Sequence, residues 1–507
     1  MTLPAPADRR ATDRTLVAAA GCAIFAWALF RTAWMCDDAF ITLRTIDNFV
    51  HGYGLRWNVD ERVQAFTHPL WLFVLTPFYA VTREPYVTTL AVQAALAIAT
   101  IWLLLRHAAA TANQAWFVVA VLVSSKAFVD FSTSGLENPL THLLIVLFFL
   151  AWRSDRWRGN RTGVLTLLAS CIVLSRPDLA VLVAPVLVSV WLTDRFSGRA
   201  ILAGAVPFAA WEAFSLVYYG SLVPNTALAK LSTGVPASAL VVQGWHYLTA
   251  TYALDPMTIL LLAGSLVLLA IAYGTPGRLM ALGALLHVVF VLRSGGDFMS
   301  GRFLTAPLLW TIAGVVGLPL LRRAESRRRF AVAAALIAAI GLIITDAPPL
   351  ISPATFGSVS PTYVRGVIDE RQFYYPTMGL LRRLGFAPMD RDSLALAGDE
   401  ARRTPQPPKT VNVVGVFGYY AGPALHIVDR EALCDPFLAR LPAKPDWRPG
   451  HFQREVPEEY LKSLREHTNA IADPQQHALY DDVRLATQAP IWSDGRLGAI
   501  WRLTLGR

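Results

Sequence analysis

The chain has 507 residues, of which 54% are hydrophobic and 16% charged, and its mean hydropathy is +0.42. This composition excludes an ordinary soluble enzyme and places the chain in the membrane class. The net charge of +9 does not point to nucleic acid, because the arginines gather in short loops between apolar runs, as cytoplasmic loops do.

The first apolar run, 15–33, has no small-residue cleavage site and reads as an anchor. Further runs predict spans near 86–106, 115–131, 139–152, 163–175, 178–193, 200–218, 256–274, 278–293, 303–321 and 330–346. A span takes roughly 20 apolar residues, fewer in a crowded bundle. The stretch HPLWLFVLTPFYAV at 68–81 is short and holds Pro69 and Pro77. Basic groups at Arg9, Arg10 and Arg14, and at 153–161, 194–199 and 322–329, mark cytoplasmic loops. Keeping them on one side requires an even number of crossings before Arg153. Residues 68–81 are therefore expected to lie along the outer interface or to re-enter, leaving about eleven spans with the N-terminus inside. The polar segments 34–67, 133–138, 175–178, 218–230 and 293–303 then all face outward. Residues 347–507 are rich in Pro, Arg, Asp and Glu and hold strand-like pieces such as TVNVVGVFGYY at 410–420. The expected organisation is a multi-pass α-helical membrane domain over 1–346 and an outer soluble α/β or β-rich domain over 347–507. The four cysteines, Cys22, Cys36, Cys171 and Cys434, have no metal-ligand spacing.

Asp37 and Asp38 stand where the first span ends. Acidic residues are ordinary at a helix start. Carboxylates at a membrane boundary are nonetheless costly and tend to carry function, and neighbours can take different roles. A helix continuing from Asp37 puts Asp37, Ile41, Arg44 and Asn48 on one face, with Arg44 available to an acid or a phosphate. Glu137 precedes Pro139 at another boundary, and Arg176 and Asp178 flank Pro177; each fits helix capping, a local ion pair or substrate binding. Asn225, Thr226 and Lys230 share one loop, where Lys230 offers a point charge to a lipid phosphate. Gly295 and Gly296 allow close backbone approach. Asp297 and Arg302 bracket that turn, and an arginine can hold a phosphate bidentately. His51 and His68 also face outward; such histidines are more often structural, and His68 is kept as a substrate-binding candidate.

No P-loop, Rossmann fingerprint or zincin motif occurs. The acids and bases face away from the nucleotide pool, so a reaction there takes a donor delivered through the membrane. A polyprenyl-phosphate sugar is such a donor. Its phosphate suits Arg44, Lys230 and Arg302, an aspartate takes the proton of the acceptor hydroxyl, and cations stabilise the departing phosphate.

Six segments recur together in one order: DDAFITLRTIDN with ERV at 61–63, TSGLE at 133–137, SRPD at 175–178, YYGSLVPNTALAK at 218–230, GGDFMSGRFLTAPL at 295–308 and GVIDERQFYY at 366–375. Each is weak alone. In order they resemble the GT-C class of membrane glycosyltransferases, and within it the terminal arabinofuranosyltransferases of mycobacterial cell-wall arabinan assembly and their bacterial relatives. YYAGPALHIVD at 419–429 and LCDPFLARLP at 433–442 resemble their outer domain. The resemblance implies a donor of decaprenyl-phosphoryl-arabinofuranose type, transfer of one D-arabinofuranose to a glycan end, a plasma-membrane location with the site on the outer face, and a catalytic acid at Asp37 or Asp38. It leaves Glu137, Arg176, Asn225, Thr226, Asp297 and His68 for substrate. No protein-held metal is implied, and a divalent cation is allowed without being required. Departures are Pro69-Leu70-Trp71, PNT in place of PST, and a shorter outer domain; they leave open an arabinan end, a pilin or another glycan as acceptor. Two alternatives stand beside this: a GT-C transferase of another lipid-linked sugar, such as mannose or aminoarabinose, and a glycolipid transporter, which would place ionisable groups near the midplane of broken helices. Trp447, His451, Phe452 and Tyr460 are candidates for stacking on the acceptor sugar, or for packing.

Overall fold

A computed structural model describes residues 6–193, 197–317, 324–358, 361, 363–404 and 407–505. The side chains of Arg9 and Arg10, part of the basic loop at 194–199 and part of that at 322–329 lie outside the described residues. Two compact units divide the chain. The first is Met1–Cys36, Tyr86–Val206 and Leu240–Asp390; the second is Asp37–Pro85, Pro207–Ala239 and Arg391–Arg507. Packing thus interleaves the sequence, where composition alone divides it at 346–347.

The first unit is helical. Among the described residues four helices of the chain are long and apolar enough to cross a membrane: Arg14–Thr32, Pro85–Ala108, Gly198–Tyr218 and Gly274–Arg293. Each coincides with an expected span. A fifth crossing arises if Ala237–Leu254 and Pro256–Ala272, bent by 112°, act as one. The break has a local cause: Asp255 caps the second helix by accepting from the Thr258 amide, and Pro256 opens it. The helix Ala237–Leu254 is one the apolar runs did not mark, because Gln243 and His246 interrupt them. Ala112–Ser124, Asn138–Arg153 and Arg161–Ser175 are apolar but shorter, with 13, 16 and 15 residues; at 1.5 Å per residue these reach about 20–25 Å. The expected non-crossing stretch forms the 14-residue helix Pro69–Thr82 in the second unit.

Residues 347–390 pack with the first unit. There Tyr363–Val364 pairs antiparallel with Val367–Ile368. Ile368 donates its amide to the Phe298 carbonyl and accepts from the Ser300 amide, so the GVIDER segment pins the GGDFMSGR turn.

The second unit is built on two buried clusters. One joins Ile41, Trp57, Phe417, Ala421, Leu425 and Ile427. The other joins Val428, Phe437, Tyr460, Leu464, Leu479 and Val483. Its one sheet among the described residues is the parallel pair Lys409–Val411 with Ile427–Asp429. The strand-like stretch 410–420 is therefore mostly something else. Strand ends at Val411, and Gly415–Ala421 is a helix. The reason is tertiary: the opening amides of that helix bind a carboxylate from the other end of the sequence. The β-rich alternative for the C-terminal segment does not form, since two two-stranded sheets are the β structure of the described chain.

Candidate active site

The second unit begins with Asp37. The helix Asp37–Val50 carries both aspartates in its first turn, where free amides and the helix dipole favour negative charge. Their surroundings differ. Asp37 is 5% exposed. Its Oδ2 accepts from the Gly415 amide at 2.8 Å and its Oδ1 from the Val416 amide at 2.7 Å. Burial pushes its pKa up to about 7, against the two amides that favour the carboxylate, while Asp38 adds to the rise. Position 415 must be glycine, because a Cβ there would stand 1.9 Å from the Asp37 carbonyl oxygen. Asp38 is half-buried and has no hydrogen-bond or ion-pair partner among the described residues. One turn further, Thr42 Oγ1 lies 2.8 Å from His68 Nε2, so the His68 candidate stands on the Asp38 side of this helix.

Arg44 lies on the Asp37 face, 2% exposed. Its Nε, Nη1 and Nη2 donate to the carbonyls of Trp57, Gly418 and Leu425 at 2.9, 2.6 and 3.0 Å. The guanidinium also stacks over the Trp57 ring at 4.4 Å. This geometry is that of a packing clamp, not of a cation presented to a phosphate. Asn225 is likewise a clamp: its Nδ2 donates to the carbonyls of Ala432, Leu433 and Asp435. Thr226 is half-buried beside it. Lys230, at the end of the helix Asn225–Leu231, is half-buried and forms no ion pair among the described residues. Phe452 and Tyr460 are core residues, at 4% and 2% exposure. Trp447 stacks on Phe452 at 5.3 Å, and His451 closes a turn with Arg448.

The first unit brings four other candidates together. Arg302 Nη2 donates to Glu137 at 3.0 Å from Oε1 and 3.3 Å from Oε2. Arg302 Nη1 stands 3.7 Å from Asp297. Arg176 grips Asp178 with two nitrogens, at 3.1 and 2.8 Å, and approaches Glu137 at 3.6 Å. Three loops meet in this cluster. Gly296 makes the close approach: its φ is +73°, and a Cβ there would lie 2.4 Å from Tyr247. Two guanidiniums here face the three carboxylates Glu137, Asp178 and Asp297, so the cluster is internally paired and Arg302, 12% exposed, is its outermost cation.

Two groupings escape sequence reasoning. In the first unit Lys126 pairs with Asp130 and Asp369, and Arg371 pairs with Asp130 at 2.8 Å, beside a small cavity that Trp34 and Ser300 also line. A lysine inside the apolar run 115–131 is the signal that would have found it. In the second unit His426 pairs with Asp60 at 2.9 Å, and buried Glu61 accepts from Asn58. Among the described residues no three His, Cys, Asp or Glu side chains are gathered as a metal site.

No family model matches the chain. It is 27% identical over 526 aligned positions to the terminal β-(1→2)-arabinofuranosyltransferase of Mycobacterium tuberculosis, covering 86% of this chain and 83% of that one. It is 32% identical over 363 positions to the enzyme of the same name from Corynebacterium glutamicum, covering 60% of this chain and 51% of that one. Among solved structures it is similar to ArnT from Cupriavidus metallidurans, crystallised with undecaprenyl phosphate, at 15% identity and a TM-score of 0.47 over 82% of this chain and 86% of that chain. With membrane-length apolar helices and likeness over most of its length to a terminal arabinofuranosyltransferase, the chain is a membrane glycosyltransferase that resembles those enzymes.

Proposed function

We propose that the protein transfers D-arabinofuranose from a polyprenyl-phosphate donor to a glycan hydroxyl on the outer face of the membrane, with Asp38 as catalytic base and Asp37 as its positioning residue. The observation that carries this assignment is the unequal state of the pair. Asp37 is tied to two backbone amides; Asp38 has no partner among the described residues. A base must keep its lone pairs for the proton it takes, and a positioning residue must be held.

The acceptor oxygen attacks C1 of the furanose, the bond from C1 to the phosphate oxygen breaks, and the acceptor proton passes to the Asp38 carboxylate. Polyprenyl phosphate leaves with the electron pair of the broken bond. Lys230, without a carboxylate partner, is the cation we assign to that phosphate. Arg302 and Arg176 hold Glu137 within the paired cluster of the first unit. The N-terminus is assigned to the cytoplasm and residues 347–507 to the outer side, in keeping with the basic loops. The likeness to two arabinofuranosyltransferases supports the choice of sugar.

The test is transfer by the purified full-length protein, supplied with synthetic decaprenyl-phosphoryl arabinofuranose and an arabinan oligosaccharide. A new arabinofuranosyl linkage with wild-type protein, and none with Asp38→Asn, is expected. Equal activity in that variant overturns the assignment of the base. Transfer of mannose or aminoarabinose from the matching lipids, without arabinose, overturns the choice of sugar.

A further inference from the structure

We propose that the helix Arg496–Leu505, together with Trp492 just before it, is an interfacial anchor that rests on the headgroup region of a lipid bilayer. Trp492, Leu497 and Trp501 are 84%, 75% and 65% exposed. Leu497 and Trp501 are four residues apart and share one helix face. The opposite face is firmly packed. Ala499 and Ile500 are 0% and 6% exposed, and Leu503 packs against the Phe437–Tyr460 cluster.

Polar bonds hold the helix in that orientation. Buried Arg496 donates to the carbonyls of Ala486, Ile491 and Tyr218. Arg502 grips Asp482, at 2.6 Å for the shortest contact. The exposed apolar face therefore belongs to an ordered element and not to a fraying end.

Its neighbours identify what covers it. Tyr218 ends the helix Gly198–Tyr218, which is long and apolar enough to span and has only 11% of its apolar window buried inside the protein. Gly220 follows, and a Cβ there would come within 3.1 Å of Ile500. The anchor helix is thus joined to the end of a lipid-facing span. Leu216, Val217, Leu222 and Val223 on that connection are 37–45% exposed. At the end of a span the surroundings are the bilayer interface, where tryptophan is favoured because its ring is apolar and its N–H is polar. Ten residues reach only about 15 Å, too short to cross, so the helix lies along the surface. The proposal needs the membrane location alone and stands apart from the identity of the sugar.

Spin labels at Trp492→Cys, Leu497→Cys and Trp501→Cys, in full-length protein with Cys171→Ser, test it in nanodiscs of phosphatidylcholine and phosphatidylglycerol. Glu466→Cys, at the exposed last residue of the helix Glu458–Glu466, is the aqueous reference. The ratio of oxygen to water-soluble nickel-reagent accessibility is expected to be severalfold higher at the three anchor positions than at the reference. A ratio equal to the reference overturns the proposal. Exclusion of both reagents also overturns it, since that outcome means that protein, such as a second copy of the chain, covers the face.

Discussion

Asp37 and Gly415 are joined by a hydrogen bond of 2.8 Å across 378 positions of sequence. Asp37 and Asp38 are neighbours in the chain and unlike in state, one saturated by amides and one without a partner. Asp38→Asn is expected to lower kcat by about 10²–10⁴-fold, the usual contribution of a positioned base, with unchanged thermal stability. Asp37→Asn keeps one acceptor and loses the other, so it should lower both the melting temperature and kcat, the latter by less than Asp38→Asn. Rates and melting curves on the same preparations separate the two.

Gly415→Ala tests the same junction from the other side. The added methyl meets the Asp37 carbonyl oxygen, and overpacking of this kind costs about 1–3 kcal/mol. Denaturation of the detergent-purified variant should show this loss, and transfer should fall with it because Asp37 is displaced.

The pH dependence of stability follows from raised pKa values in the second unit. Burial takes Asp37 up to about 7, and Glu61 and Asp429 up to about 8. Burial pulls His426 down, but its bond to Asp60 and the nearby carboxylates outweigh this and raise it to about 9. A group raised in the folded state stabilises fully below its unfolded pKa and loses that contribution as pH rises through the folded value. All four therefore act in one direction. The melting temperature should fall by several degrees between about pH 4 and about pH 9, and a flat or rising profile would contradict it. Asp60, lowered by His426, acts only at more acidic pH.

Glu137→Ala leaves the Arg302 and Arg176 guanidiniums facing each other without the carboxylate between them. Breaking such a buried pair typically costs about 3–5 kcal/mol, and the expected result is a clear drop in melting temperature. Glu137→Gln, which keeps the shape and an acceptor oxygen, should lose less.

Lys230→Gln removes the assigned phosphate cation without disturbing an ion pair of the described chain. A lost charge-assisted bond of about 1.5–3 kcal/mol should appear as a rise in donor KM of roughly tenfold or more, with little change in melting temperature. An unchanged donor KM would remove Lys230 from the site.

Much of the organisation is legible in the sequence where the physics is local. Apolar length marks the spans at 14–32, 85–108, 198–218 and 274–293. Helical spacing marks the shared face of Asp37, Ile41, Arg44 and Asn48, all of which are buried. The role of that face is not local. Arg44 reads as a phosphate cation until the carbonyls of Gly418 and Leu425 are seen to occupy it, and those lie more than 370 residues away. The same holds for 410–420, whose apolar run suggests a strand and whose helix begins on the Asp37 carboxylate. Glu137, Arg176, Asp297 and Arg302 each stand out in sequence, but their pairing depends on three loops meeting. Lys126 went unmarked because its partners Asp130 and Asp369 are split between a helix and a distant strand end.

The interleaving of the two units has a consequence for synthesis. The helix bearing Asp37 and Asp38 emerges early from the ribosome, yet its amide partners at 415 and 416 emerge hundreds of residues later. Until then the aspartate pair lacks its anchor, and the unit containing it cannot close, because its three segments are separated by whole sets of membrane helices. Long-range closure of this kind is slow and late. The nascent chain can thus insert its early spans while Asp37 still lacks its amide partners, and the contacts of Asp37 with Gly415 and Val416 form as one late event.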